Sequence, residues 1–165
     1  MRRKEIFVFR ERCMGCHSCE LACAVSHTKA GNLFGAVLAG ESAHHRIWIE
    51  PLDRGRRAPV VCHQCVSAPC VAACPTGAMQ QRADRTSFLD EELCIGCWNC
   101  VAECPFGACG QGETVAFKCD RNCLDDDGVP ACVRACPTGA LVYMTAAEYV
   151  EERRKRRRAV AAAAR

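Results

Sequence analysis

Short apolar stretches separated by polar turns run along the chain, and they predict small strands and single helical turns. Ile47–Glu50 alternates apolar and polar positions before a proline, which is typical of a strand followed by a turn. Thr114–Phe117 and Ala140–Tyr143 have the same strand-like character, whereas Val71–Ala73 and Val101–Glu103 predict short helical turns. No apolar run approaches the roughly 18 residues of a membrane span, so we expect none.

The end of the chain carries the strongest helical pattern. Thr145 and Glu148 have the spacing of a capping box, and acidic residues precede the basic run Arg153–Arg158, as the helix dipole favours. We therefore expect residues 145–165 to form a basic C-terminal helix or tail, either docked on an acidic partner or simply solvated. Residues 24–46 have the weakest pattern, and we interpret them as a surface loop.

Cysteine is unusually frequent in this chain. The 165 residues include 17 cysteines, which account for part of the 50% hydrophobic content, and only six Phe, two Tyr and two Trp. So few large apolar residues predict a small hydrophobic core, which indicates that a group bound to the cysteines also stabilises the fold. The first ten residues lack the apolar segment of a secretory signal, so we expect a cytoplasmic protein. In a reducing compartment, dense cysteines favour metal over disulfides.

Charge is unevenly distributed. The formal net charge is +3, but the C-terminal residues 145–165 hold seven Lys or Arg against three Glu. The remainder of the chain is therefore close to neutral. It has no basic stripe interleaved with aromatic residues, so we expect no nucleic-acid partner.

Sixteen of the cysteines fall into four groups of four, which predicts one module repeated four times. The groups are Cys13, Cys16, Cys19 and Cys23; Cys62, Cys65, Cys70 and Cys74; Cys94, Cys97, Cys100 and Cys104; and Cys119, Cys123, Cys132 and Cys136. The third group has the spacing C-x2-C-x2-C-x3-C-P of bacterial ferredoxins. The text Cys-Pro-Thr-Gly-Ala occurs at both Cys74 and Cys136.

This spacing matches the chemistry of an iron–sulfur cube. Three cysteines at close spacing present three sulfurs to one cluster, and the fourth ligates the other cluster of a pair. Zinc is the main alternative, although zinc sites commonly use two C-x2-C pairs separated by about 12–20 residues. A radical-type catalytic cluster would require a cysteine at the position of Asp126, so the sequence excludes a cluster of this type here.

The chain resembles the four-cluster ferredoxin-type electron-transfer subunits of large oxidoreductase complexes. These subunits serve the dimethyl sulfoxide reductase and formate dehydrogenase family, hydrogenases, carbon monoxide dehydrogenase and tungsten aldehyde oxidoreductases. The segments that carry the resemblance, within residues 7–143, are Cys13–Cys23, Ala68–Ala78, Cys94–Cys97 and Pro130–Leu141. One departure is the fourth group, where Cys119 and Cys123 are separated by three residues rather than two, so we expect a local bulge.

The resemblance implies an α+β fold of two ferredoxin-like dicluster units with four [4Fe-4S] clusters. The outer unit would comprise residues 1–61 and 105–144, and residues 62–104 would form the inserted inner unit. The implied iron ligands of the four clusters are Cys13, Cys16, Cys19 and Cys136; Cys119, Cys123, Cys132 and Cys23; Cys62, Cys65, Cys70 and Cys104; and Cys94, Cys97, Cys100 and Cys74. Spacing alone is also compatible with pairing group one with two and group three with four.

From these features we predict a non-catalytic electron-transfer subunit. The sequence has no nucleotide-binding glycine fingerprint, and every patterned cysteine has a structural use. The resemblance implies a catalytic partner subunit with tungsten, molybdenum or nickel, and a flavoprotein or ferredoxin acceptor. The alternatives are a free polyferredoxin and a self-associating, filament-forming conduit. Cys109 lies outside the groups, and we interpret it as a small buried residue near a cluster.

Overall fold

The computed structural model describes residues 3–41 and 43–163, so the last two residues of the predicted tail lie outside the described residues. Within those ranges it has eight short strands and six α-helices. The strands are β1 Lys4–Val8, β2 Trp48–Pro51, β3 Arg57–Val60, β4 Met79–Gln81, β5 Ser87–Leu89, β6 Cys109–Gln111, β7 Ala116–Lys118 and β8 Leu141–Thr145. The helices are α1 Ser18–Ser26, α2 Leu33–Leu38, α3 Pro69–Ala72, α4 Asn99–Ala102, α5 Ala131–Arg134 and α6 Ala146–Ala163.

The strands form four antiparallel pairs. Three of them join neighbouring segments: β2 with β3, β4 with β5, and β6 with β7. The fourth pairs β1 with β8 over the register Lys4 with Thr145 to Val8 with Leu141, which brings the two ends of the ferredoxin-like region together. These small sheets and single-turn helices confirm the predicted α+β ferredoxin-like fold.

Two separate cores hold the elements, and cysteines contribute to both. The first core combines Ile6, Ile47 and Leu141 with cysteines of groups one and four. The second core combines Met79 and Ala116 with cysteines of groups two and three. Cys109 is buried in this second core, as predicted. Because it lies on β6, the hairpin β6–β7 packs with the inner groups, although it follows residue 104 in the chain.

The loop between the first two cysteines of each group turns in the same way. The residue two positions after the first cysteine has a left-handed backbone in all four groups: Gly15 at φ 70°, Gln64 at 49°, Gly96 at 66° and Arg121 at 56°. The shared turn presents the following cysteine to the same side as the first. Group four keeps this turn at Arg121, so its additional residue is accommodated after the turn rather than within it.

The C-terminal helix α6 begins with the predicted capping box. The Thr145 backbone N–H donates to Glu148 Oε2 at 2.7 Å, and the Glu148 N–H donates to Thr145 Oγ1 at 3.4 Å. Tyr149 attaches the helix to the sheet, because its ring stacks on Phe7 at 4.3 Å and its hydroxyl donates to the Val8 carbonyl at 3.2 Å. Across residues 3–41 and 43–163, no helix combines the length and apolar composition needed to cross a membrane.

The structure differs from the sequence interpretation in residues 24–46, where a surface loop was expected. Helix α2 forms there because the Asn32 side chain caps it, accepting the Gly35 N–H at 2.8 Å. The helix is short, and its apolar side chains face outward, with Phe34 81% and Leu38 88% exposed. The sequence pattern does not reveal α2, because so short a helix has too few turns to produce a periodic pattern of apolar residues.

We predict that Gly96→Ala destabilises the protein more than Gly128→Ala. Both glycines have left-handed backbones, so each alanine costs about 1 kcal/mol of strain. A Cβ at Gly96 would also lie 2.5 Å from the Thr114 carbonyl oxygen, whereas nothing lies within 4 Å of one at Gly128. Anaerobic thermal unfolding followed by circular dichroism measures the difference; equal losses of melting temperature would contradict the prediction.

Candidate metal centres

The structure brings the first three cysteines of group one together with the last cysteine of group four. We call Cys13, Cys16, Cys19 and Cys136 site 1; they line one small cavity. Cys13 and Cys16 lie on the loop that follows the 3-10 turn at Arg10–Arg12, and Cys19 lies on the first turn of α1. Cys136 follows α5, which packs against α1, so helix packing brings the distant segments together.

A second small cavity is lined by site 2, which comprises Cys62, Cys65, Cys70 and Cys104. Here α3 carries Cys70, and Cys104 follows α4. His63 and Phe106 line the same cavity, with ring centroids 4.2 Å apart. The two rings are tilted by 41° relative to each other, and burial lowers the pKa of His63.

We keep for the remaining cysteines the two sets that the resemblance implies. Site 3 is the set Cys94, Cys97, Cys100 and Cys74, and site 4 is the set Cys119, Cys123, Cys132 and Cys23. Burial raises the pKa of the Cys132 thiol, and the nearby charges of Cys119, Cys23, Cys123 and Cys19 raise it further. Burial and the charges of Cys70, Cys94, Cys74 and Cys97 raise the pKa of Cys100 in the same way. The other three cysteines of each set therefore lie near Cys132 and Cys100, respectively.

Electrostatic proximity links the sets to one another. In addition to burial, the charge of Cys19 in site 1 raises the pKa of Cys132 in site 4, and the charge of Cys62 in site 2 raises the pKa of Cys119 in site 4. Burial and the charge of Cys70 in site 2 raise the pKa of Cys100 in site 3. The four sites therefore follow the order 1, 4, 2, 3.

The donor set fits iron–sulfur clusters. All 17 cysteines are free thiols, and none is joined in a disulfide. Four thiolates suit a four-iron cube, because each thiolate binds a different iron, and close cysteine spacing of this kind is typical of ferredoxin-type clusters.

Backbone N–H groups point at several of the sulfurs. Arg46 donates to Cys23 Sγ at 3.2 Å, Met79 to Cys74 Sγ at 3.3 Å and Ala108 to Cys104 Sγ at 3.3 Å. Although burial opposes it, the N–H bond from Met79 lowers the pKa of Cys74, and Cys136 is lowered in the same way. Such hydrogen bonds stabilise thiolates and help to set cluster potentials.

The structure gives Cys109 a more specific location than the sequence predicts. It lines the cavity of site 2 beside Cys70, and both residues are buried in the second core. Interaction between the two thiols lowers the pKa of Cys70 and, together with burial, raises the pKa of Cys109. Sequence reasoning also missed Gln64 and Lys118, two buried polar residues beside site 2, because nothing in their pattern marks them.

Comparison with known proteins agrees with this geometry. The sequence profile of the 4Fe-4S dicluster domain matches residues 56–146, and that of a 4Fe-4S binding domain matches residues 10–26. An iron–sulfur protein of Rhodospirillum rubrum is 42% identical over 153 residues, covering 82% of this chain and 79% of that protein. Electron transport protein HydN of Escherichia coli (strain K12) is 38% identical over 148 residues, covering 79% of this chain and 82% of HydN.

A longer relative shows the same region within a larger protein. UacF of Escherichia coli (strain K12) is 43% identical over 133 residues, which cover 80% of this chain. This chain spans only about a fifth of the length of UacF, because the match covers 20% of that protein.

We predict that Cys136→Ser alters the spectrum of the cluster at site 1 and removes up to about a quarter of the bound iron. The reason is that Cys136 lies with Cys13, Cys16 and Cys19. Iron analysis and electron paramagnetic resonance (EPR) of the anaerobically purified protein measure the change. Cys104→Ser, which removes the corresponding ligand of site 2, is the matched variant and should alter a different signal. If Cys136→Ser instead altered the site 3 signal, the rival pairing would be supported.

Proposed function

This chain belongs to the 4Fe-4S dicluster domain family, and from that premise we propose that it is an electron-transfer subunit with four [4Fe-4S] clusters. The clusters store and release single electrons when bound. The protein's part is to hold each cluster with four thiolates at sites 1 to 4, to donate N–H groups to the sulfurs, and to leave the two ends of the series accessible.

Exposure of the cysteines is the observation that carries this proposal. Most of the cysteines are buried or partly buried, whereas Cys16 and Cys97 are exposed. These two belong to sites 1 and 3, the ends of the order 1, 4, 2, 3. Each has an exposed apolar neighbour in the same loop, Met14 and Ile95, both 67% exposed. A series in which only the two end sites have an exposed cysteine suits passage of electrons from one docked protein to another.

We propose the same division into two units that the sequence predicted, with one adjustment. The outer unit holds sites 1 and 4, and the inner unit holds sites 2 and 3, in keeping with the two cores. Because Cys109 and Ala116 pack in the second core, we assign the hairpin β6–β7 to the inner unit, which then ends near Lys118.

The proposed partners are a catalytic oxidoreductase subunit with tungsten, molybdenum or nickel, and a flavoprotein or ferredoxin acceptor. Relatives named as iron–sulfur and electron transport proteins support a carrier role. The exposed apolar residues Phe34 and Leu38 on α2 favour a chain that is covered by another protein. That observation equally favours self-association, the alternative in which copies form an electron conduit.

We expect the chain, purified anaerobically from its native host with its bound proteins, to contain about 16 iron atoms, four per cluster. Elemental analysis measures the iron, and tungsten, molybdenum or nickel in the same sample identifies the class of catalytic partner. Iron without a second metal would favour a free carrier or a self-assembly, which anaerobic gel filtration with light scattering separates. Zinc in place of iron would refute the proposed function.

The basic helix α6 is the proposed docking element at the site 1 end. Arg156 lies over the Phe9 ring at 4.3 Å, and the Phe9 N–H donates to the Ala140 carbonyl at 2.8 Å, in the segment after Cys136. The late basic residues of α6 therefore lie on the side of the molecule that holds site 1. Opposite charges across an interface mainly speed association.

We predict that the double variant Arg154→Glu, Arg157→Glu slows electron transfer to an acidic ferredoxin by about tenfold at low salt, because steering is lost. The Arg156 contact with Phe9 is kept. Stopped-flow kinetics as a function of ionic strength measure the rate. Arg54→Glu, on an exposed turn away from α6, is the matched control. Unchanged rates and salt dependence in the double variant would exclude α6 as the docking element.

A further inference from the structure

A lysine is buried between the outer and inner units. Lys118, the last residue of β7, is 2% exposed and immediately precedes Cys119 of site 4. Its Nζ donates to the Ser87 carbonyl at 2.7 Å and to the Cys119 carbonyl at 3.0 Å. Lysine is almost never so deeply buried unless a negative charge accompanies it.

No side chain supplies that negative charge within the described structure. Among the ion pairs formed by residues 3–41 and 43–163, none includes Lys118. Both of its hydrogen-bond partners are backbone carbonyls, which accept hydrogen bonds but carry no net charge. The positive charge therefore needs an anion of another kind nearby.

The nearest concentration of potential anions is site 2. Lys118 lines the same cavity as Cys62, Cys65, Cys70 and Cys104. The negative charge of four thiolates would exceed the net positive charge of the iron–sulfide core that they hold, so a fixed cation beside them is electrostatically favourable.

A polar network holds Lys118 in position. Gln64, from the loop of group two, donates through Nε2 to the Cys119 carbonyl at 2.7 Å and accepts the Ser87 N–H at Oε1, also at 2.7 Å. Gln64 and Ser87 are 2% and 1% exposed, so water does not compete for these bonds. The Lys118 ammonium donates to the carbonyls of the same two residues, Ser87 and Cys119, so the network fixes the cation at the junction of sites 2 and 4.

We propose that Lys118 is a positioning residue for electron transfer, a buried counter-charge that raises the reduction potential of the cluster at site 2. The inference rests on the proposed function. Reduction adds one negative charge to a cluster, and a fixed positive charge in a medium of low dielectric stabilises the reduced form more than the oxidised form. The cation thereby favours reduction of the cluster at site 2, in the interior of the series.

Lys118→Gln and Lys118→Arg test the proposal, because glutamine keeps a donor without the charge and arginine keeps the charge. EPR-monitored redox titration gives the potential of each cluster, and iron analysis shows whether all are present. Cys104→Ser identifies the signal of site 2. We expect Lys118→Gln to shift the potential of site 2 to a more negative value, site 4 to shift less, and site 1 to stay unchanged. Lys118→Arg should retain the original potential.

Arg82→Gln is the matched control. Arg82 Nη1 also donates to a carbonyl of group four, that of Asp120 at 3.4 Å, but Arg82 is exposed and its charge is screened. Its removal should leave all potentials unchanged. If Lys118→Gln retained full iron and an unshifted site 2, the proposal would be overturned. It would also be overturned if both Lys118 variants lost iron equally, because that would indicate a packing role.

Failure of this proposal is distinguishable from failure of the proposed function. Wild-type protein without iron or without cluster signals would refute the function itself. Wild-type protein with its clusters, together with unshifted potentials in a loaded Lys118→Gln variant, would refute only the role of Lys118. Loss of iron from the glutamine variant alone would support the need for a positive charge at this junction.

Discussion

The fold depends on bringing thiols from distant parts of the chain to shared sites. Burial makes this costly for a thiolate, as the raised pKa values of Cys19, to about 12, and Cys132 show. The chain also has few large apolar side chains with which to offset that cost. Iron binding requires thiolates and releases their protons, so binding of the clusters and folding of the chain are coupled. The backbone elements can stay small because the cysteine sites cross-connect them.

The two ferredoxin-like units solve the same geometric problem with different residues. Each group uses a left-handed residue two positions after its first cysteine, but groups one and three use glycine there, whereas groups two and four use Gln64 and Arg121. These two larger residues have a further role, because both are buried and both donate hydrogen bonds to distant backbone carbonyls. Gln64 reaches the Cys119 carbonyl and so links the inner unit to the outer one, whereas Arg121 Nη1 reaches the Lys4 carbonyl at 2.9 Å within the outer unit. The turn position of group two thus joins the two units, and that of group four fastens strand β1.

Electrostatics differ between the ends and the middle of the site series. The end sites have exposed cysteines at Cys16 and Cys97, so water and docked partners can reach them. The middle sites have no exposed cysteine, and the buried Lys118 lines site 2. Exposure and fixed charge are two of the ways in which a protein sets cluster potentials, and this chain has both of them in different places. Asymmetry along the series therefore arises from the surroundings of the cysteines, since their own type and number are the same at every site.

The sequence by itself determined the cysteine groups, the α+β class and the capped C-terminal helix, because each depends on local spacing that is visible along the chain. The exact edges of the strands moved by one or two residues, and α2 was missed, because elements of a few residues leave little periodic signal. Which groups share a site was implied only by resemblance, since spacing within a group does not specify its partner. Only the tertiary structure placed Cys136 beside Cys13, Cys109 against Cys70, and the Lys118 ammonium between sites 2 and 4. These contacts join residues far apart in sequence, and they exist only once α1 packs on α5 and the hairpin β6–β7 closes on the inner unit.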